Sequence, residues 1–172
     1  LPYAGNFNIK LIRDKFIKLG IEKYITYVHF GITSQDINTS ANILALKDAI
    51  NLCIIPEIIN LMICIKSFIQ YSNNTVMLGF THGQPAVPTT MSKEYNVFYY
   101  RLQEQIDILI KMPYMTKFGG AVGNFNAHYA AYPDIDWISF ANKFINDIGL
   151  TREKYTTQIS NYDNLCNIFN EI

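Results

Sequence analysis

The stretch Ser40–Tyr71 reads SANILALKDAINLCIIPEIINLMICIKSFIQY, and its periodicity decides the fold class. Ile43, Leu46, Ile50, Ile54, Ile58, Leu61, Ile65 and Phe68 recur every three or four residues. That spacing is the stripe of a helix and not the alternation of a strand. A second set, Leu44, Leu52, Ile55, Ile59 and Ile63, covers much of the remaining surface. A helix apolar nearly all round is buried on most sides, inside a bundle or an oligomer. Pro56 lacks an N–H and clashes with the preceding turn, so a bend or a helix boundary is expected there.

Working outward, residues 9–28 read as a helix ended or bent by Gly20, and His29–Thr39 as a loop. Asn73-Asn74 breaks the long helix, and Thr81–Pro88, with Gly83, Pro85 and Pro88, reads as a second loop. Met91, Tyr95, Phe98, Leu102, Ile106 and Leu109 are the stripe of a helix over about Thr89–Lys111. Phe118–His128 reads as a glycine loop. A helix capped by Asp134 should run to Gly149, and a last one should begin near Asn161. No strand alternation is evident, so the class is all-α, a long-helix bundle.

Of 172 residues, 49% are hydrophobic, 14% aromatic and 16% charged, which excludes whole-chain disorder. A formal net charge of +0 argues against a nucleic-acid binder and against an anionic-membrane surface protein. The longest apolar run, Asn51–Met62, is broken by Pro56 and Glu57, so no membrane span is expected. The first residue is Leu1 and no signal peptide is visible, and the last helix looks cut off in progress, so a fragment is expected. Residues 1–28 read as a helical lead-in from an N-terminal domain, and 29–172 as a central helical bundle incomplete at its C-terminus. Cys53, Cys64 and Cys166 form neither a disulfide framework nor a zinc pattern and read as small buried thiols in a reducing compartment.

Three loops could carry chemistry. Gly31-Ile32-Thr33-Ser34-Gln35-Asp36 fits a capping box, Thr33-x-x-Asp36. Its functional alternative is an anion cradle, with two hydroxyls and free N–H groups at a helix start. Thr81-His82-Gly83-Gln84-Pro85-Ala86 places a histidine, the usual acid–base group near neutral pH, in a stiffened loop. Gly119–His128 allows close backbone approach but lacks the Lys-Ser/Thr end of a phosphate loop. His29, His82 and His128 lack metal-ligand spacing.

Taken together these motifs carry a resemblance. Thr81–Ala86, followed by Thr89 and Lys93-Glu94, resembles the histidine region of the fumarase/aspartase superfamily. Thr33-Ser34-Gln35-Asp36-Ile37-Asn38 resembles its Thr-Ser-x-Asp region. The stretch 119–133, GGAVGNFNAHYAAYP, and Tyr155–Ile159 are similar to the adenylosuccinate lyase branch, in its bacterial form. The resemblance implies a cytoplasmic homotetramer with shared active sites that eliminates fumarate from a succinylated purine nucleotide, without a cofactor. It implies His82 as general acid to the leaving nitrogen, and Thr33 and Ser34 as holders of a substrate carboxylate. It implies substrate contacts for Gln158, Lys93 and Asn126, with His29 orienting the cradle. The family's Ser-Ser-x-Met-Pro-x-Lys-x-Asn loop, which supplies the general base, does not occur in these residues. A sister lyase such as argininosuccinate lyase, and a non-catalytic helical protein on the same fold, are the alternatives. The glycine stretch weighs against the first, and the co-occurrence of His82, Thr33, Ser34 and Gln158 against the second.

Overall fold

The computed structural model describes residues 4–172, with side chains from Ile9 onward. Helix α1 (Ala4–Lys18) ends one residue before Leu19-Gly20, where Gly20 takes φ +69. A short 3-10 helix, Glu22–Tyr27, follows. Helix α2 (Ser34–Ala49) passes through a π-helical stretch, Ile50–Ile54, into α3 (Ile55–Tyr71). Strands β1 (Val76–Thr81) and β2 (Gln84–Thr90) form an antiparallel hairpin that leads into α4 (Met91–Lys111). Then come β3 (Met115–Thr116), α5 (Asn126–Ala131), α6 (Trp137–Asp147), β4 (Thr151–Arg152) and α7 (Asp163–Asn170). The chain divides into two compact units.

Among the described residues the first unit comprises 4–45 and 113–165. Its core is Ile43 of α2, Phe118, Phe125, Trp137, Ala141 and Ile145 of α6, and Leu150, flanked by Phe30, Ile32, Leu44, Tyr114, Ile148 and Leu165. The two-residue strands β3 and β4 pair in parallel, so the segment before the glycine loop and the segment before Gln158 lie side by side.

The second unit comprises residues 46–112 and 166–172. Here α3 packs against α4, with the Phe68 and Tyr95 rings 4.5 Å apart and Met62, Ile106 and Leu109 buried. The Thr90 hydroxyl caps α4 by accepting the Lys93 N–H.

The helical class and both long helices are as expected; the differences have physical causes. The first long helix begins at Ser34 and not Ser40, because the Asp36 carboxylate accepts the Thr33 N–H and so starts the helix within the motif. Pro56 falls at the boundary after the π turn. The Ile55 N–H bonds to the Ile50 carbonyl five residues back, a wider turn that gives the proline ring room. The segment Thr81–Pro88 is not a loop but most of a hairpin, hidden from sequence reading because its residues are exposed on both faces and leave no alternation. Helix α6 is capped by Asp136 and not Asp134, its carboxylate accepting the Ser139 N–H and hydroxyl. All three cysteines are exposed, not buried, as they lie on helix faces that none of the described residues covers. The continuous helical run Ser34–Tyr71 is, by length and composition, long and apolar enough to cross a membrane, which corrects the expectation that no stretch would be.

Candidate active site

In the first unit the site is organised from Asp36. Its carboxylate is wholly buried and forms an ion pair with the equally buried Lys117 ammonium at 2.9 Å. One oxygen, Oδ2, accepts the Thr33 N–H at 2.7 Å. The other, Oδ1, accepts the N–H groups of Gly119 at 2.9 Å and Gly120 at 3.4 Å. Lys117 Nζ also donates to the Gly120 carbonyl at 2.5 Å. The Ser40 hydroxyl lies 3.0 Å from that of Thr116 and also donates to the Asp36 carbonyl. One carboxylate thus ties the Thr33-Ser34 turn to the glycine loop. Thr33 is half-buried, and Ser34 stands exposed in the first turn of α2, where backbone N–H groups and the helix dipole favour an anion.

The glycines set how closely these segments approach. Gly31 takes φ +65, and a Cβ there would lie 2.6–2.8 Å from the His128 ring. Gly123 takes φ +81, and a Cβ there would meet the Thr156 carbonyl oxygen at 2.1 Å. The glycine loop therefore lies directly on the Thr156-Thr157 backbone, immediately before Gln158. Glu153 closes that segment, accepting the Ser160 hydroxyl at 2.7 Å and the Asn161 N–H at 3.2 Å. Gln158 itself is exposed, and so is Asn126, the first residue of α5.

His128 is buried to 2% exposure among Phe30, Phe118, Phe125 and Trp137. Burial pushes its imidazole below the ordinary histidine range, and the nearby Asp36 charge opposes that shift. Its Nδ1 has no hydrogen-bond partner among the described residues.

In the second unit His82 sits at the tip of the β1–β2 hairpin. Thr81 pairs with Gln84, which leaves His82-Gly83 as a two-residue turn with φ of 51 and 73. Positive φ at both central positions is the hairpin turn whose twist matches its strands. The imidazole is presented outward, exposed. Lys93 lies in the first turn of α4, paired with Glu94 at 2.7 Å. Lys93 and the Thr89 hydroxyl hold the Glu94 carboxyl below its usual range. The β2 strand separates Lys93 from His82: its 7 residues at ~3.3 Å each come to ~23 Å.

Thus the structure brings Thr33, Ser34 and the Gln158 segment to the glycine loop. It leaves Lys93 at the opposite end of the hairpin from His82. His29 is exposed at φ 67, three residues before Ile32-Thr33. Sequence reading missed Lys117 altogether and took Asp36 only as a cap. A lone Lys between Thr116 and Phe118 carries no signal of burial, and its partner lies 81 positions away in the sequence. No cluster of metal-ligating side chains occurs among the described residues.

Residues 10–171 match the model of a lyase family. The chain is 40% identical over 174 aligned residues to adenylosuccinate lyase of Dictyostelium discoideum, covering 95% of this chain and 37% of that protein. It is 43% identical over 143 residues to adenylosuccinate lyase of Buchnera aphidicola, covering 83% and 31%. It is 39% identical over 143 residues to that of Escherichia coli K12, covering 83% and 31%. The chain spans about a third of the length of these curated relatives. Among solved structures it resembles 3-carboxy-cis,cis-muconate lactonizing enzyme from Pseudomonas putida, with a TM-score of 0.68 at 25% identity over 95% of this chain and 36% of that one. It shares the fold of the corresponding cycloisomerase from Acinetobacter calcoaceticus, with a TM-score of 0.72 at 23% identity over 95% and 36%. The match over nearly all its length, on a long-helix scaffold carrying the Thr-Ser, histidine and glycine motifs, places the chain in this lyase family of the fumarase/aspartase superfamily.

Proposed function

We propose that the full-length protein is an adenylosuccinate lyase, releasing fumarate from adenylosuccinate to give AMP, and from the succinylaminoimidazole carboxamide ribotide of purine synthesis. The observation that carries this reading is the identity of about 40% to adenylosuccinate lyases over most of the chain. A base removes the proton from the succinyl carbon next to a carboxylate, and the electron pair is held as an aci-carboxylate. The carbon–nitrogen bond then breaks, its electrons leave with the nitrogen, and an acid protonates that nitrogen. The substrate's own carboxylate is the electron sink, so no cofactor is required.

Thr33 and Ser34 hold one substrate carboxylate at the start of α2, where N–H groups and dipole favour negative charge. His82 is the proton donor, and its outward position at a stiff turn suits delivery to a substrate held on other elements. Gln158, Lys93 and Asn126 contact substrate, and His29 orients the cradle. The general base comes from a serine loop outside these residues.

The site is shared between subunits of a cytoplasmic homotetramer. In chain order the cradle precedes the Ser34–Tyr71 helical run and the His82 turn follows it. Only 6% of the most apolar window of that run is buried within this chain. Leu52, Ile59, Leu61 and Ile63 on one helix, and Val97, Phe98, Ile108 and Ile110 on the other, are exposed. Apolar faces of this extent mark a surface covered by association. The reading is tested by fumarate release from adenylosuccinate with purified full-length protein; no release above a buffer control, with the protein folded, overturns it.

A further inference from the structure

We propose that Asp36 and Lys117 are positioning residues for the substrate-carboxylate cradle. Asp36 fixes the Thr33-Ser34 turn onto the glycine loop, and Lys117 cancels the Asp36 charge so that an anionic substrate is accepted beside it. The proposal rests on the reading of Thr33 and Ser34 as the cradle.

A helix cap alone does not account for the arrangement. Asp136 caps α6 from an exposed position, accepting the Ser139 N–H and hydroxyl. Asp36 performs the same local task for α2 but is wholly buried, is shared among three backbone N–H groups, and has a buried lysine attached. Desolvating both charges is costly, and a buried ion pair is weak evidence of a stabilising role. The pair instead acts on where segments sit. Asp36 grips the Thr33 backbone, and Lys117 grips the Gly120 carbonyl, so neither segment shifts without breaking charge-assisted bonds. Asp36 is also only two residues from Ser34. A bare carboxylate there, itself buried and so only weakly screened, would repel a substrate carboxylate. Lys117, at 2.9 Å, removes that repulsion.

The two halves of the pair therefore fail in opposite ways. Lys117→Met strands a negative charge next to the cradle, which raises KM for adenylosuccinate by about tenfold or more near pH 8. The stranded charge is the Asp36 carboxylate. The groups facing that carboxyl are Lys117, the N–H groups of Thr33, Gly119 and Gly120, and the His128 imidazole. Asp36→Asn leaves a positive charge there, whose attraction for the substrate carboxylate offsets the weaker hold of a loosened Thr33 turn, so KM stays level or drops while the misplaced substrate lowers kcat. Lys117→Arg, which keeps the charge, retains a KM within about threefold of wild type.

The experiment is steady-state fumarate release near pH 8 with full-length wild type and these variants, with folding checked by circular dichroism. Fumarate affinity is measured by calorimetry on the same proteins. Opposite movements of KM, and a KM kept near the wild-type value in Lys117→Arg, support the proposal. Equal rises of KM in Lys117→Met and Asp36→Asn, or lowered thermal stability with KM unmoved, overturn it and leave a purely structural pair. Should Lys117→Met not fold, Asp36→Asn decides alone: a tenfold rise in its KM is the overturning result. A wild type that does not turn over adenylosuccinate defeats the functional reading. The calorimetric arm then still decides the pair, since weaker fumarate binding in Lys117→Met but not in Asp36→Asn supports charge cancellation, and equal binding overturns it.

Discussion

Gly31, His82 and His128 show what single positions do in this chain. A Cβ at Gly31 would press into the His128 ring from a backbone at φ +65. Gly31→Ala is expected to destabilise the fold by about 1–3 kcal/mol through overpacking, read as a shifted denaturant midpoint. His128 offers a second test. Its imidazole is held below the ordinary range by burial, so the unfolded chain binds its proton more readily than the folded one. Stability is therefore fully present above the unfolded value of roughly 6.5 and declines as pH falls from there through the folded value. Thermal midpoints between pH 8 and 5 should fall with acidification, and His128→Phe should flatten that slope; an unchanged slope would remove His128 as its source. His82 is exposed at its turn, and the role proposed for it is chemical. In the full-length protein, His82→Ala should lower kcat by ~10²–10⁴-fold with a smaller effect on KM. A near-wild-type kcat would take His82 out of the mechanism. Ser34→Ala and Gln158→Ala should act chiefly on KM.

At the scale of elements, the two long helices follow from apolar spacing, but their ends follow from particular hydrogen bonds. Thr90 accepts the Lys93 N–H at 3.3 Å, and Thr90→Ala should cost ~1 kcal/mol, measured by chemical denaturation. The π turn before Pro56 is the local answer to a proline in a helix. One wider turn releases the Ile55 N–H to bond five residues back and spares the ring a clash. The hairpin carries the functional consequence. Its two-residue turn needs positive φ twice, which Gly83 meets at no steric cost and His82 meets as one of the residue types most often found there. Replacing Gly83 with Val should therefore disturb the turn and misplace His82, lowering kcat while the helix content read by circular dichroism stays unchanged.

For the whole molecule, the proposed association would cover the exposed apolar faces on α3 and α4. If the site is shared, mixing a Ser34-defective with a His82-defective full-length protein after mild dissociation should restore activity, since some mixed sites then receive both intact groups. No recovery, with subunit exchange demonstrated, would sink the shared site. The 172-residue chain expressed alone should release no fumarate, because the proposed base is not among its residues; release above a buffer control would contradict this.

Helical class, the two long helices, the break at Asn73-Asn74 and the boundary at Pro56 were legible in the residues themselves. Each depends on spacing of three or four, or on the geometry of one residue, and both are local. The Thr33-Ser34, His82 and glycine motifs were legible too, because a motif is a short run of types. The hairpin was not, since strands exposed on both faces carry no alternation. The exposure of the cysteines was not, since burial depends on what lies opposite a helix face. The Asp36–Lys117 pair was invisible for the same reason. Nothing near Lys117 in sequence marks it as buried, and its charge is tolerated only because tertiary folding brings a carboxylate from α2 to within 2.9 Å.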